Sequence, residues 1–293
     1  MVACVLGCLV GCTGCSGVSR TPTRRAGQPP AHRPELRANH AETVAHGCAR
    51  IHCRRFAVYG GTPVQNSTSN ANSDQAQGDP SGQSCARAQY LRAVEEANEV
   101  AEGAAVLGAP DGAALMRHFL SGRGTPLTFG PTSRIAGLIA RSASFQRLNR
   151  AVKAELNRQL APFASGDRGE GPAQIRLDRG FLLAVRPSFD SLARDPDLYL
   201  SFRGTQGLSI RGAGTVYLPA QPDRTGHTSG RLTYTISDVY GFGSDPQFRL
   251  FGHPVGPDLH YLQTTCGAPG HKDGAHWFRD AVIVTTRFRF PLS

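Results

Sequence analysis

The 293-residue chain has no stretch approaching the roughly 20 consecutive apolar residues of a membrane-spanning helix, which argues against an integral helical membrane protein. Lysine is almost missing: two of the 32 basic residues are Lys, so the net charge of +10 is an arginine charge. Arginine-rich, lysine-poor usage follows from GC-rich coding as readily as from nucleic-acid binding, and no nucleic-acid partner is expected. A basic surface still favours anionic partners, such as a phosphate-bearing envelope polymer or lipid headgroups. Charged residues make up 18% and tryptophan occurs once, whereas glycine (34) and proline (20) are plentiful. That balance describes a loop-rich, β-leaning protein with a disordered part. Nucleotide-binding loops are lacking too. "GRGTPLTFG" and "RGTQGLSIRGAGT" match neither glycine-rich phosphate signature, and "RGTQG" and "RGAG" read as hairpin turns with glycine at positive φ. "HGCARIHC" gathers His46, Cys48, His52 and Cys53, but no distant second ligand pair frames them, so no metal and no cofactor are expected.

What is present begins with "MVACVLGCLVGCTGCSG", apolar and small-residue-rich in the manner of a targeting segment, here residues 1–16. Within it Leu9-Val10-Gly11-Cys12 resembles the lipobox of bacterial lipoproteins, which implies cleavage before Cys12 and lipid attachment to its thiol. The 11-residue leader is short, and no Lys or Arg precedes its apolar run. Residues 17–83 have no sustained apolar period and read as a disordered linker, or as translated sequence upstream of a later start.

Order begins near Cys85. "CARAQYLRAVEEANEVAEGAAVLG" carries Ala, Leu and Val at helical spacing and stops at Gly108; "APDGAALMRHFLSGRG" restarts a short helix. Two further helices follow, capped by Thr132 or Ser133 and by Ser142 or Ser144, the second with Phe145, Leu148, Val152, Leu156 and Leu160 on one face. These make a helical subdomain, residues 84–162. After Pro162 the period changes to two: "QIRLDRGFLLAV", "LYLSFRGTQGLSIRGAGTVYLP", "GRLTYTISDVYGFG" and "AVIVTTRFRFPL" read as strands. Residues 163–293 are expected to form an antiparallel β-sheet or small β-barrel, giving an α+β protein.

Asp238 and Tyr240, where a strand runs into a turn, are candidate catalytic residues, with His253 the nearest loop histidine. The structural alternative is an Asp capping its own turn and an aromatic pair, Tyr240 and Phe242, plugging the sheet end. His253, His260, His271 and His276 with Asp258, Asp273 and Asp280 share one loop-rich region, at spacings that match no helix-borne metal signature. Trp277 and Phe278 either anchor the core or, in a binding module, contact a sugar ring or a membrane interface. Outside the first 82 residues Cys85 and Cys266 stand alone; they would pair in an exported protein and stay thiols in the cytosol.

The segments "HFLSGRGTPLTF", "LYLSFRGTQGL", "GRLTYTISDVYGFG", "LHYLQTTCGAP" and "GAHWFRDAVIVT" together resemble a family of uncharacterised actinobacterial proteins, sometimes exported, over residues 85–293. The resemblance implies no activity. A weaker one is to the catalytic β domain of colicin M, which cleaves a lipid-linked peptidoglycan precursor. There an Asp-x-Tyr-Asp segment and a later His-Arg pair form the site; here Asp238 and Tyr240 match, Gly241 replaces the second acid, and no His-Arg pair follows. The resemblance therefore implies a shared scaffold rather than a shared activity. The expected function is an exported or lipid-anchored, non-catalytic binding protein of the cell envelope, located outside the cytoplasmic membrane. The alternative is a toxin-like effector or hydrolase acting on a phosphorylated envelope precursor.

Overall fold

A computed structural model describes residues 52–62, 85–164, 172–218, 226–242, 249–250, 253–267 and 275–292. The strands are β1 (His52–Thr62), β2 (Leu127–Phe129), β3 (Ala173–Arg176), β4 (Gly207–Leu218), β5 (His227–Tyr240), β6 (Arg249–Leu250), β7 (His253–Pro254) and β8 (Phe278–Pro291). The helices are α1 (Arg87–Val106), α2 (Pro110–Leu120), α3 (Arg134–Arg141), α4 (Ala143–Ala164), α5 (Arg179–Val185), α6 (Pro196–Phe202) and α7 (Gly256–Tyr261), with a π-helical turn at Leu262–Cys266. None of the described helices is long and apolar enough to cross a membrane.

Six strands form one open sheet in the order β2-β8-β5-β4-β1-β3, and β6 pairs with β7 apart from it. The four central strands are antiparallel, while the short edge strands β2 and β3 run parallel to β8 and β1. The α+β class holds, but the sheet is open: β2 and β3 each pair on one side only, so there is no barrel.

The helices are not a subdomain apart. The face of α4 made by Phe145, Leu148, Val152, Leu156 and Leu160 is wholly buried against one face of the sheet, together with Val58, Ile210, Tyr234, Ile236 and Val284. A second cluster joins α1, α2, α7 and the π-helical turn to Tyr240 and Phe278 at the end of β5 and β8. Each described helix contributes to clusters on this same face, a two-layer arrangement.

Local chemistry sets the helix limits. Ser133 Oγ accepts the Ala136 N–H at the start of α3, and Ser142 Oγ accepts the Phe145 N–H at the start of α4. Gly108, at φ 79°, closes α1 in the left-handed region that favours glycine. Pro110 opens α2 in the first helical turn, where its missing N–H costs nothing.

Three readings change. β1 lies inside the stretch read as linker, yet it is an interior strand between β4 and β3. Its pattern is weak because Phe56 and Val58 are its only buried hydrophobic side chains, among arginines and glycines. "LYLSF" is helix α6, not strand, and in "QIRLDRGFLLAV" the strand ends at Arg176 and α5 begins at Arg179. Both are short segments buried among neighbours, so their apolar spacing does not separate helix from strand. "RGAG" is no turn: Gly212 and Gly214 lie within β4, where a Cβ on Gly214 would stand 2.5 Å from the Phe56 ring. Of the described glycines only Gly108, Gly122 and Gly124 have positive φ, so those of "RGTQG" and "RGAG" do not.

Candidate functional site

β5 buries alternate residues, Leu232, Tyr234, Ile236, Asp238 and Tyr240, on the helix-covered face. The fourth member of this apolar series is an acid. Across the ladder Asp238 stands opposite Asp280 of β8, with the pair Ile236 and Val282 on one side and Tyr240 and Phe278 on the other. Directly opposite residues have Cβ atoms about 4.5–5.5 Å apart, so two carboxyl groups share one small apolar enclosure. Asp280 is 1% exposed, and no side-chain donor reaches its carboxyl oxygens; the only groups that favour its charge are the backbone N–H groups of Asp280 and Asp238.

Burial pushes the Asp238 carboxyl up to about 7, although the N–H groups of Val239 and Gly204 and the Arg186 charge pull the other way. Burial also raises Asp280 well above the carboxylate range, and the Asp238 charge adds to it. Tyr240 is raised by burial first and by Asp280 second, so its hydroxyl stays protonated.

Asp238 opens onto a pocket of about 490 Å3, within the range of small-molecule sites. Its walls are the end of β5 through Phe242, α6 and the turn after it, Met116 of α2, and Asp190. α6 begins with Pro196 and ends in a turn closed by the Thr205 hydroxyl, which donates to the Phe202 carbonyl. The Gln206 N–H then donates to the Ser237 carbonyl at 2.9 Å, which holds the turn against β5. Gly204 forms the floor beside the acid: a Cβ there would sit 3.5 Å from Asp238 Oδ1. Arg186 donates to the Gln206 carbonyl, and the Arg203 guanidinium lies 5.0 Å from the Tyr199 ring centre.

Two further pocket residues carry unpartnered polar atoms, Ser201 Oγ and Gln206 Oε1, both buried. Tyr199, Tyr240 and Phe242 supply aromatic surface. Tyr240 is stacked on Phe278 at 5.1 Å and meets Phe242 edge-on at 5.5 Å. The site thus sets the Asp238 carboxyl beside aromatic faces.

No family model, curated protein or solved structure matches the chain.

The candidates read from the sequence separate here. Asp238 and Tyr240 line the pocket. No histidine does so among the described residues; His260 Nδ1 instead lies 3.0 Å from the Phe242 carbonyl. His253 falls in β7, but its side chain is outside the described residues, as are His271, Asp273, His46, Cys48 and Cys12. Among the described residues no group of His, Cys, Asp and Glu could hold a metal. Trp277 is 48% exposed beside Gly241, whereas Phe278 is wholly buried and belongs to the core. Cys85 and Cys266 form a disulfide that ties the start of α1 to the end of the π-helical turn across 181 residues. The Tyr261 hydroxyl accepts the Ala86 N–H beside it.

Sequence reading missed Tyr199, Ser201, Arg203 and Gln206, because it took "LYLSFRGTQG" for a strand and hairpin. The signal that could have found them is the helix start at Pro196 with acids on either side, Asp195 and Asp197.

Proposed function

We propose that the protein is an exported, envelope-associated binding protein whose pocket takes a small polyhydroxylated ligand, a carbohydrate unit. The observation that carries this is the Asp238 carboxyl, almost wholly buried in the wall of an aromatic-lined pocket. A carboxyl in a pocket wall keeps acceptor lone pairs that a ligand hydroxyl fills. The apolar face of a sugar ring rests on tyrosine or phenylalanine. The Cys85–Cys266 disulfide supports export, because such bonds persist in oxidising compartments. Lipid attachment at Cys12 is the form of anchoring proposed.

Saturation-transfer NMR with N-acetylglucosamine tests the pocket. Transfer is expected with the unaltered protein and not with Gly204→Ala, whose added methyl occupies the floor in ordinary contact with Asp238. No transfer in the unaltered protein, or equal transfer in both, removes the reading. Intact mass of the native protein after fractionation tests its address. A diacylated membrane product cut before Cys12 supports anchoring, and a cytosolic product with both thiols reduced removes export.

The opposed acids Asp238 and Asp280 favour one second reading, a hydrolase of a phosphorylated envelope precursor with Asp238 as proton donor or acceptor. Turnover of a lipid-linked pyrophosphate, abolished in Asp238→Asn, is its test.

A further inference from the structure

The other face of the sheet has a chemistry of its own. The register aligns its outward residues in rows that cross the strands. Arg176, Tyr59, Arg211, Thr233 and Thr285 form one row, from β3 to β8. The next contains Ala57, Ala213, Arg231 and Arg287, and a third contains Arg55, Thr215, Ser229 and Arg289. All six arginines are exposed. No outward position of the described strands is Asp or Glu, and no described helix packs on this face.

Strands lie about 4.8 Å apart and alternate residues about 7 Å apart, so the six charges occupy a patch roughly 19 by 14 Å. Arg231 and Arg287 stand directly opposite each other. Like charges so placed repel, and an anion between them relieves the repulsion. Guanidinium forks grip phosphate with paired hydrogen bonds, and the interspersed Ser and Thr hydroxyls add further donors.

We propose that this face binds a linear phosphodiester polymer of the cell envelope with a polyol or sugar backbone and no bases. Charge complementarity identifies an anion, and two observations choose among anions. Among the described residues of this face Tyr59 is the only exposed large hydrophobic side chain, so the face has little to insert into a bilayer. Tyr217 is half-buried and stacked on His227 at 4.6 Å, which leaves no series of open aromatic rings among the described residues of this face on which successive bases could stack. The preference for an envelope polymer over a nucleic acid rests also on the export reading; the charged surface itself does not, and it is independent of the pocket.

The experiment uses the full, disulfide-bonded protein with poly(glycerol phosphate), mixed-sequence single-stranded DNA, and phosphatidylglycerol vesicles, titrated at several salt concentrations. The expected result is tightest binding to poly(glycerol phosphate), weakening steeply with salt. A variant carrying Arg211→Thr, Arg231→Thr, Arg287→Thr and Arg289→Thr keeps strand-forming residues and is expected to bind at least about tenfold more weakly, with a shallower salt dependence. If that variant does not fold, Arg231→Thr with Arg287→Thr is read instead, against the same criterion. Tighter binding to DNA or to vesicles overturns the proposal, as does polymer binding unaffected by the substitutions. Failure of export is read separately, from the intact mass of the native protein.

Discussion

Asp238 on β5 stands directly opposite Asp280 on β8, both on the buried face of the sheet, between a row of aliphatic side chains and a row of aromatic ones. Two carboxyl groups in this setting cannot both carry charge without large cost. Arg186 is the cation that acts on Asp238, and the Tyr240 ring adjoins the pair without neutralising it.

The first prediction is a stability that falls as pH rises. Above about pH 4 the unfolded chain ionises Asp238 freely, whereas the folded chain holds its proton until about pH 7. The native state therefore binds more protons across that window, and stability decreases from pH 4 to 7; Asp280, raised in the same sense, extends the fall upward. The loss by pH 8 is on the order of 2–4 kcal/mol. Calorimetry should give a higher Tm at pH 5 than at pH 8, and Asp238→Asn should flatten the dependence and raise the Tm at pH 8. A flat profile in the unaltered protein would contradict this account of the acid pair.

Ligand binding should move the other way. A sugar hydroxyl donates more strongly to a carboxylate than to a carboxylic acid. With Asp238 titrating at about 7, N-acetylglucosamine should bind roughly five to ten times more tightly at pH 8 than at pH 6. Titration of Asp238→Asn should show one affinity at both values. Tighter binding at the lower pH would mean that the acid donates to the ligand instead.

The disulfide should contribute substantially to stability. Cys85 and Cys266 close a loop spanning 181 residues, and removal of such a bridge costs about 2–5 kcal/mol. Reductant should lower the Tm of the native protein and leave that of Cys85→Ser with Cys266→Ser unchanged. Equal sensitivity of the two would show that the bridge does not hold the fold.

Arg134 should matter more than its half-exposed position suggests. It pairs with both Asp111, at 3.1 Å, and the buried Asp197, whose other oxygen accepts the Gly112 N–H at 2.7 Å. This links α2, α3 and α6, and a Cβ on Gly112 would stand 2.7 Å from Leu200 Cβ, so the helices are in close contact. Arg134→Ala leaves a buried carboxylate unpaired, at a cost of about 2–3 kcal/mol after allowing for water at the exposed guanidinium. Denaturant unfolding should show that loss, and Arg134→Ala with Asp197→Asn should recover part of it. If the double variant is no more stable than the single one, unpaired charge is not the cause.

The sequence alone determined those features whose cause is local. The buried face of α4 follows from 3.6-residue spacing, the caps at Ser133 and Ser142 from one hydroxyl each, and the alternation of β5 from the pleat of a strand. Asp238 and Tyr240 were legible as residues at a strand end. Tertiary structure decided which strand lies beside which. A period of two says which residues of one strand share a face but nothing of the partner strand, so the opposition of Asp238 and Asp280 is invisible in a chain that separates them by a long loop. The placement of β1 between β4 and β3, and with it the assembly of Arg55, Arg176, Arg211, Arg231, Arg287 and Arg289 into one charged surface, depends on backbone pairing between distant segments. Hydrogen bonds between main chains carry no side-chain signature, and for that reason the sheet, more than any motif, created both the pocket acid and the arginine face.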